Sequence, residues 1–87
     1  MQIRLAVFGA FRGALAQGEL EFSLPDDARV QHLRQALKAH LRRLHPEGGD
    51  DALVDRSAFA DVFEVLDEET PLAGRQGLAV LPPVCGG

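Results

Sequence analysis

Cysteine is nearly absent from this chain. Cys85 is the only one among 87 residues, so no internal disulfide can brace the fold. A chain this short buries only about 60–65% of the surface its unfolded form exposes. A thin apolar core and backbone pairing must therefore carry the structure, with no room for a second domain. Positive charge is also short: nine Lys and Arg stand against 13 Asp and Glu, a net charge of −4. Phosphate backbones are held by clustered cations, which excludes nucleic acid as the main partner. The acidic balance suits a solvated surface, or one that docks on a basic protein. Long hydrophobic runs are lacking as well. Met1 to Phe8 shows no basic region ahead of an apolar stretch, and nothing approaches the ~20 apolar residues of a membrane span. No membrane association is expected, and one unpaired cysteine fits a reducing compartment, so the cytoplasm is the expected location.

The residue sets that carry side-chain catalysis are missing too. There is no Ser-His-Asp arrangement, no G-x-x-x-x-G-K phosphate loop, no Cys-x-x-Cys and no paired acids in a recognisable catalytic setting. His40 and His45 lie near Asp50 and Asp51, but their spacing matches no zinc pattern. No bound metal or cofactor is expected.

Periodicity is what the chain does have. Ile3, Leu5 and Val7 alternate with Arg4, Ala6 and Phe8, which predicts a strand buried on at least one face. Leu20, Phe22 and Leu24 alternate with Glu19, Glu21 and Ser23, a second strand that Pro25 stops. Gly9, Gly13 and Gly18 punctuate the connection, so the two read as an opening hairpin. Val30, Leu33, Leu37, Leu41 and Leu44 recur at steps of three and four, one stripe of a helix. Asp26 and Asp27 precede it, where acids cap free N–H groups; Arg42, Arg43 and His45 crowd its end, and Pro46 stops it. Arg34, Lys38 and Arg42 form a basic stripe that reads as a solvated face, with docking to an acidic partner as the other possibility. Residues 47–51 read as a polar loop. Phe59, Val62, Phe63, Val65 and Leu66 predict a strand centred on 62–66, followed by an acidic turn at Asp67-Glu68-Glu69. Leu78 to Leu81 predicts a last strand, closed by Pro82-Pro83. The order strand, strand, helix, strand, strand gives an α+β plan, one main helix on a face of a mixed four- to five-stranded sheet. Residues 1–81 form the expected domain and 82–87 an extended tail.

That tail, Pro82-Pro83-Val84-Cys85-Gly86-Gly87, has its own physical logic. Two prolines fix their φ angles and cannot extend a ladder, so the chain leaves the last strand stiffly. Two glycines have no Cβ and present the narrowest profile a peptide can. A carboxylate there could enter a slot closed to other residues. Once activated as an acyl-adenylate, its carbonyl carbon becomes open to a sulfur nucleophile.

The stretch Leu78 to Gly87 resembles the ending of the small subunits of molybdopterin synthase, in the MoaD/ThiS family of sulfur carriers, where a hydrophobic strand runs into Pro-Pro-Val-x-Gly-Gly. The opening Ile3 to Arg12 is similar to that family's first strand, and Asp67 to Leu72 to its acidic turn. Ala73 to Gly77 and Asp61-Val62-Phe63 depart from the family pattern, and Cys85 stands where Thr or Ser is usual. The resemblance implies a ubiquitin-like β-grasp fold. It implies that Gly87, behind Gly86, is adenylylated with ATP by an E1-like adenylyltransferase and converted to a thiocarboxylate. It implies insertion of the tail, Pro82, Pro83 and Val84 included, into a large catalytic subunit, as part of a heterotetramer. There sulfur would pass to cyclic pyranopterin monophosphate, the active site belonging to that subunit. By position, Phe8, Val65 and Leu81 are the implied apolar partner surface, with Arg12 near the base of the tail. A carrier for thiamin or another sulfur metabolite, or a ubiquitin-like protein modifier, is the alternative.

Overall fold

The computed structural model describes residues 1–7, 18–46 and 51–83. β1 (Gln2–Val7) and β2 (Glu19–Ser23) pair antiparallel, with Ile3 opposite Phe22 and Leu5 opposite Leu20. Alternation then sets the faces. Ile3, Leu5 and Val7 are buried, while Glu19, Glu21 and Ser23 point to solvent.

α1 (Val30–Leu44) buries Val30, Leu33, Leu37 and Leu41; the fifth member of the stripe, Leu44, is exposed in the last turn. The expected capping by Asp26 and Asp27 is not what the structure shows. Arg29 occupies the cap position, its N–H donates to His32 Nδ1 at 2.8 Å, and no acid stands in the first turn. The free N–H groups of Val30 and Gln31 instead donate to the carbonyls of Thr70 and Glu68, each at 3.0 Å. Orphan donors at a helix start need acceptors, and here a distant turn supplies them. Asp26 lies beside the Met1 ammonium instead, at 3.3 Å.

The stretch after α1 also differs from expectation. Asp51, read as the end of a loop, opens a short helix, α2 (Asp51–Asp55), which buries Val54; residues 47–50 lie outside the described residues. The single strand expected at 62–66 is two: β3 (Ala58–Ala60) and β4 (Val65–Leu66). Asp61 breaks it, because its carboxylate accepts the N–H groups of Phe63 and Glu64 at 2.8 and 2.9 Å, folding the backbone into a turn. β5 (Ala79–Leu81) lies parallel to β1 and antiparallel to β3.

The sheet order is β2-β1-β5-β3-β4, mixed, with only its central pair parallel among those described. Phe59, Leu66 and Val80 join the helix stripe in one core with Val54, Leu72 and Leu78. Only Arg42 of the basic stripe lies on a solvated face as its spacing suggested; Arg34 and Lys38 are largely covered. Arg34 grips Glu68 through two N–H donors, donates to the carbonyls of Val54 and Ser57, and lies 4.8 Å over the Phe59 ring. Lys38 pairs with Asp55, and Arg42 with Asp51. The cations stitch α1 to the segments around it.

Candidate functional site

β5 is the central strand, clamped on both sides, and it leads directly into Pro82 and Pro83, which are half-buried. Because β1 and β5 run parallel, the chain leaves the sheet at the edge where β1 also ends. A strand held on both sides gives the outgoing segment a fixed origin, and two prolines limit its directions. Gly86 and Gly87, with Val84, Phe8 and Arg12, lie outside the described residues. Of the expected site, Val65, Leu81, Pro82 and Pro83 can be placed.

Register brings Val65 and Leu81 to one face. Ala6 stands beside Ala79, Ala79 beside Ala60, and Ala60 beside Val65, with Ala58 opposite Leu81. All belong to the face away from α1, since Val80, Phe59 and Leu66 alternate with them and are buried in the core. Alanines give this face a low floor, and Val65 (65% exposed) and Leu81 (38% exposed) rise from it. On the β2 side the floor ends at Glu19, opposite Ala6.

Sequence reasoning missed the neighbouring turn. Val62 and Phe63 occupy it, and Phe63 is 88% exposed. An apolar pair inside an apolar run reads as strand core. The usable signal was Asp61 standing two residues before Phe63, the spacing of a side-chain-capped turn. That turn is fixed. Asp61, only 3% exposed at its side chain, binds Arg75 Nη1 at 2.8 Å, and Arg75 also donates to the Pro71 carbonyl. The Arg75 guanidinium and the two backbone donors hold the Asp61 carboxyl below the usual carboxylate range, and Asp61 in turn raises Arg75. The Val62 N–H donates to the Gln76 carbonyl at 3.3 Å. At Gly77 the backbone has φ +67°, and a Cβ there would fall 2.3 Å from Val62 Cγ1, so the close approach demands glycine.

An open hollow of about 500 Å³ lies between this turn and the loop before β5, lined by Asp61, Val62, Phe63, Pro71, Gly74 and Arg75 among others. Its two charged groups are paired with each other, which leaves it no acid, base or nucleophile free for catalysis. Among the described residues no cluster of His, Cys, Asp and Glu could hold a metal ion, and no helix is long and apolar enough to cross a membrane. The flat apolar face beside Pro82 and Pro83 is suited to holding a partner.

A mixed five-stranded sheet with its parallel pair at the centre and one main helix across one face is the ubiquitin-like β-grasp fold. Solved structures agree. The small archaeal modifier protein SAMP1 from Haloferax volcanii matches with a TM-score of 0.73 at 22% identity over the whole of both chains. The HVO 2177 protein of the same organism matches at 0.69 and 26%, covering 100% of this chain and 87% of the other. A candidate molybdopterin converting factor subunit 1 from Pyrococcus furiosus matches at 0.64 and 24%, covering 95% and 98%. No family model and no curated protein sequence matches the chain. What these neighbours share with it is the fold.

Proposed function

We propose that this protein is a ubiquitin-like sulfur carrier that acts through Gly87, as the small subunit of a molybdopterin synthase. The observation that supports this most is the path of the chain: a doubly clamped central strand running into Pro82-Pro83, followed in sequence by Val84-Cys85-Gly86-Gly87. One of the solved neighbours is a candidate molybdopterin converting factor subunit.

The carrier role requires Gly87 to bear the free carboxylate. An E1-like adenylyltransferase joins that carboxylate to the α-phosphate of ATP, releasing pyrophosphate. A persulfide then attacks the acyl carbon and AMP leaves; thiol cleavage of the resulting acyl disulfide frees the thiocarboxylate. The protein supplies no side chain to these steps. Its part is to be recognised and to present the tip. The large catalytic subunit rests on the face built from Val65 and Leu81, with Phe8 and Arg12 near the tail's base, while Pro82, Pro83, Val84 and Gly86 thread its slot. Sulfur then passes to cyclic pyranopterin monophosphate. All of this takes place in the cytoplasm.

The second reading, a ubiquitin-like modifier whose Gly87 is joined to a lysine, draws on the small archaeal modifier proteins among the neighbours. Removing Gly87 tests the carrier. The shortened protein should keep its circular dichroism spectrum and melting point and lose sulfur transfer to the pyranopterin. Continued transfer, or unfolding, would show that the chemistry has been misplaced.

A further inference from the structure

The activated acyl group proposed for Gly87 is open to amines as well as to sulfur. A neutral amine adds to the acyl carbon, an amide bond forms, the leaving group departs as AMP or a sulfur anion, and the amine proton passes to solvent. The nearest amines in a concentrated pool of carrier are those of other copies. Lys38 is the only lysine in the chain, the other eight of its nine cationic side chains being arginines, whose guanidinium groups stay protonated and do not act as acyl acceptors.

Lys38 sits in the middle of α1, on the side covered by α2. Its Nζ is 2.5 Å from Asp55 Oδ1 and its side chain is only 12% exposed. Asp51, at the other end of α2, also feels the Lys38 charge. A lysine normally keeps its ammonium group free in water; this one is paired with a half-exposed carboxylate and most of its side chain is covered. The Met1 ammonium is engaged as well, donating to the Leu24 carbonyl at 2.6 Å and lying 3.3 Å from Asp26.

We infer that Lys38 cannot serve as an acyl acceptor in the folded chain: Asp55 and α2 hold this sole lysine out of reach, so copies are not strung into lysine-linked chains through an activated Gly87. The inference rests on the reading of Gly87 as the activated group. It removes the lysine of a second copy from the groups that can receive the acyl group.

The test separates this claim from the carrier reading. The folded protein is treated with N-hydroxysuccinimidyl acetate and mapped by peptide mass. Lys38 should react at least about tenfold more slowly than in the urea-unfolded chain, because modification must wait for local opening. Asp55→Asn should recover most of the unfolded rate with an unchanged circular dichroism spectrum, and Asp55→Glu should retain protection. A second arm uses the protein bearing a C-terminal thioester at Gly87. Held at high concentration, the wild type should form no dimer joined from Gly87 to Lys38 while still reacting with added free lysine, and Asp55→Asn should give that dimer. Equal acetylation folded and unfolded, protection that survives Asp55→Asn, or a Lys38-linked dimer of the wild type would each overturn the inference. No activating enzyme is used, so a carrier that fails to accept sulfur would refute the function above and leave this result standing.

Discussion

The two faces of the sheet obey different rules. The face under α1 is packed with large side chains: Leu5, Phe59 and Val80 against Leu33, Leu37 and Leu41, none of them accessible. The opposite face, beside the tail's exit, has Ala6, Ala60 and Ala79 as its floor, with Val65, Leu81 and, on the adjoining turn, Val62 and Phe63 projecting from it. Burial accounts for the first set. It does not account for Val62, Phe63, Val65 and Leu81 in the second, since folding leaves those side chains exposed. Apolar side chains left out by a fold that had the option of burying them point to a partner. On the proposed reading, fold and function sit on opposite sides of one sheet.

The sharpest way to break this division is to weaken each face separately. Leu37→Ala on the inner face should cost about 2–5 kcal/mol of stability, the removed contacts plus the cavity left behind, read from urea denaturation. A negligible loss would mean the helix stripe is not the core. Next in size is Gly77→Ala, which forces an alanine into positive φ and its Cβ against Val62. A cost of about 1–3 kcal/mol is expected, together with a changed proteolysis pattern at the 61–64 turn. On the outer face, Leu81→Asp should cost about 1–2 kcal/mol at most, less than Leu37→Ala, because its side chain is already partly in water. It should weaken binding of the large subunit at least tenfold, about 1.4 kcal/mol, by isothermal titration. A stability loss matching that of Leu37→Ala would put Leu81 in the core and erase the contrast.

The sequence showed one face far better than the other. β1, β2, α1 and β5 were legible because each repeats its apolar residues at the period of its own geometry, and burial on one side enforces that repeat. The region from Asp51 to Leu66 was not, for two physical reasons. α2 spans five residues, too few to show a helical period. Val62, Phe63 and Val65 are apolar without being buried, so hydrophobicity, which reports burial elsewhere in the chain, misreported them here. The cap of α1 was hidden for a third reason: its acceptors, the Glu68 and Thr70 carbonyls, are backbone atoms nearly 40 residues away. Pairing of Arg34, Lys38 and Arg42 with Glu68, Asp55 and Asp51 is likewise a product of the fold, and the stripe alone carried no sign of it. The tail was the reverse case, since its proposed role came from residue identity rather than any period.

The smallest expected effect is that of pH. His40 meets Phe22 edge to face at 5.9 Å, and burial, with the nearby Arg43 charge, holds its pKa below the ordinary value of 6.5. The unfolded chain therefore takes up a proton that the folded one resists. Stability should begin to fall as pH drops below about 6.5, and His40→Gln should flatten that first decline. Asp61 adds a later loss. Its lowered pKa gives stability that is present above about pH 3.9 and disappears as pH falls through the folded-state value. Arg75→Gln should shrink that acid limb, the Phe63 and Glu64 N–H groups still favouring the carboxylate, while leaving the decline near pH 6 in place. An unchanged acid limb would show that Asp61 is not held by Arg75.

The claim that a bare carboxylate on Gly87 is the reactive group has a direct test in the mass of the intact protein. After incubation with ATP, an E1-like activating enzyme and a sulfur source, exchange of one oxygen for sulfur should add about 16 Da, mapped to the C-terminal peptide and absent when ATP is withheld. An unchanged mass, or a gain of sulfur located on Cys85, would contradict the account.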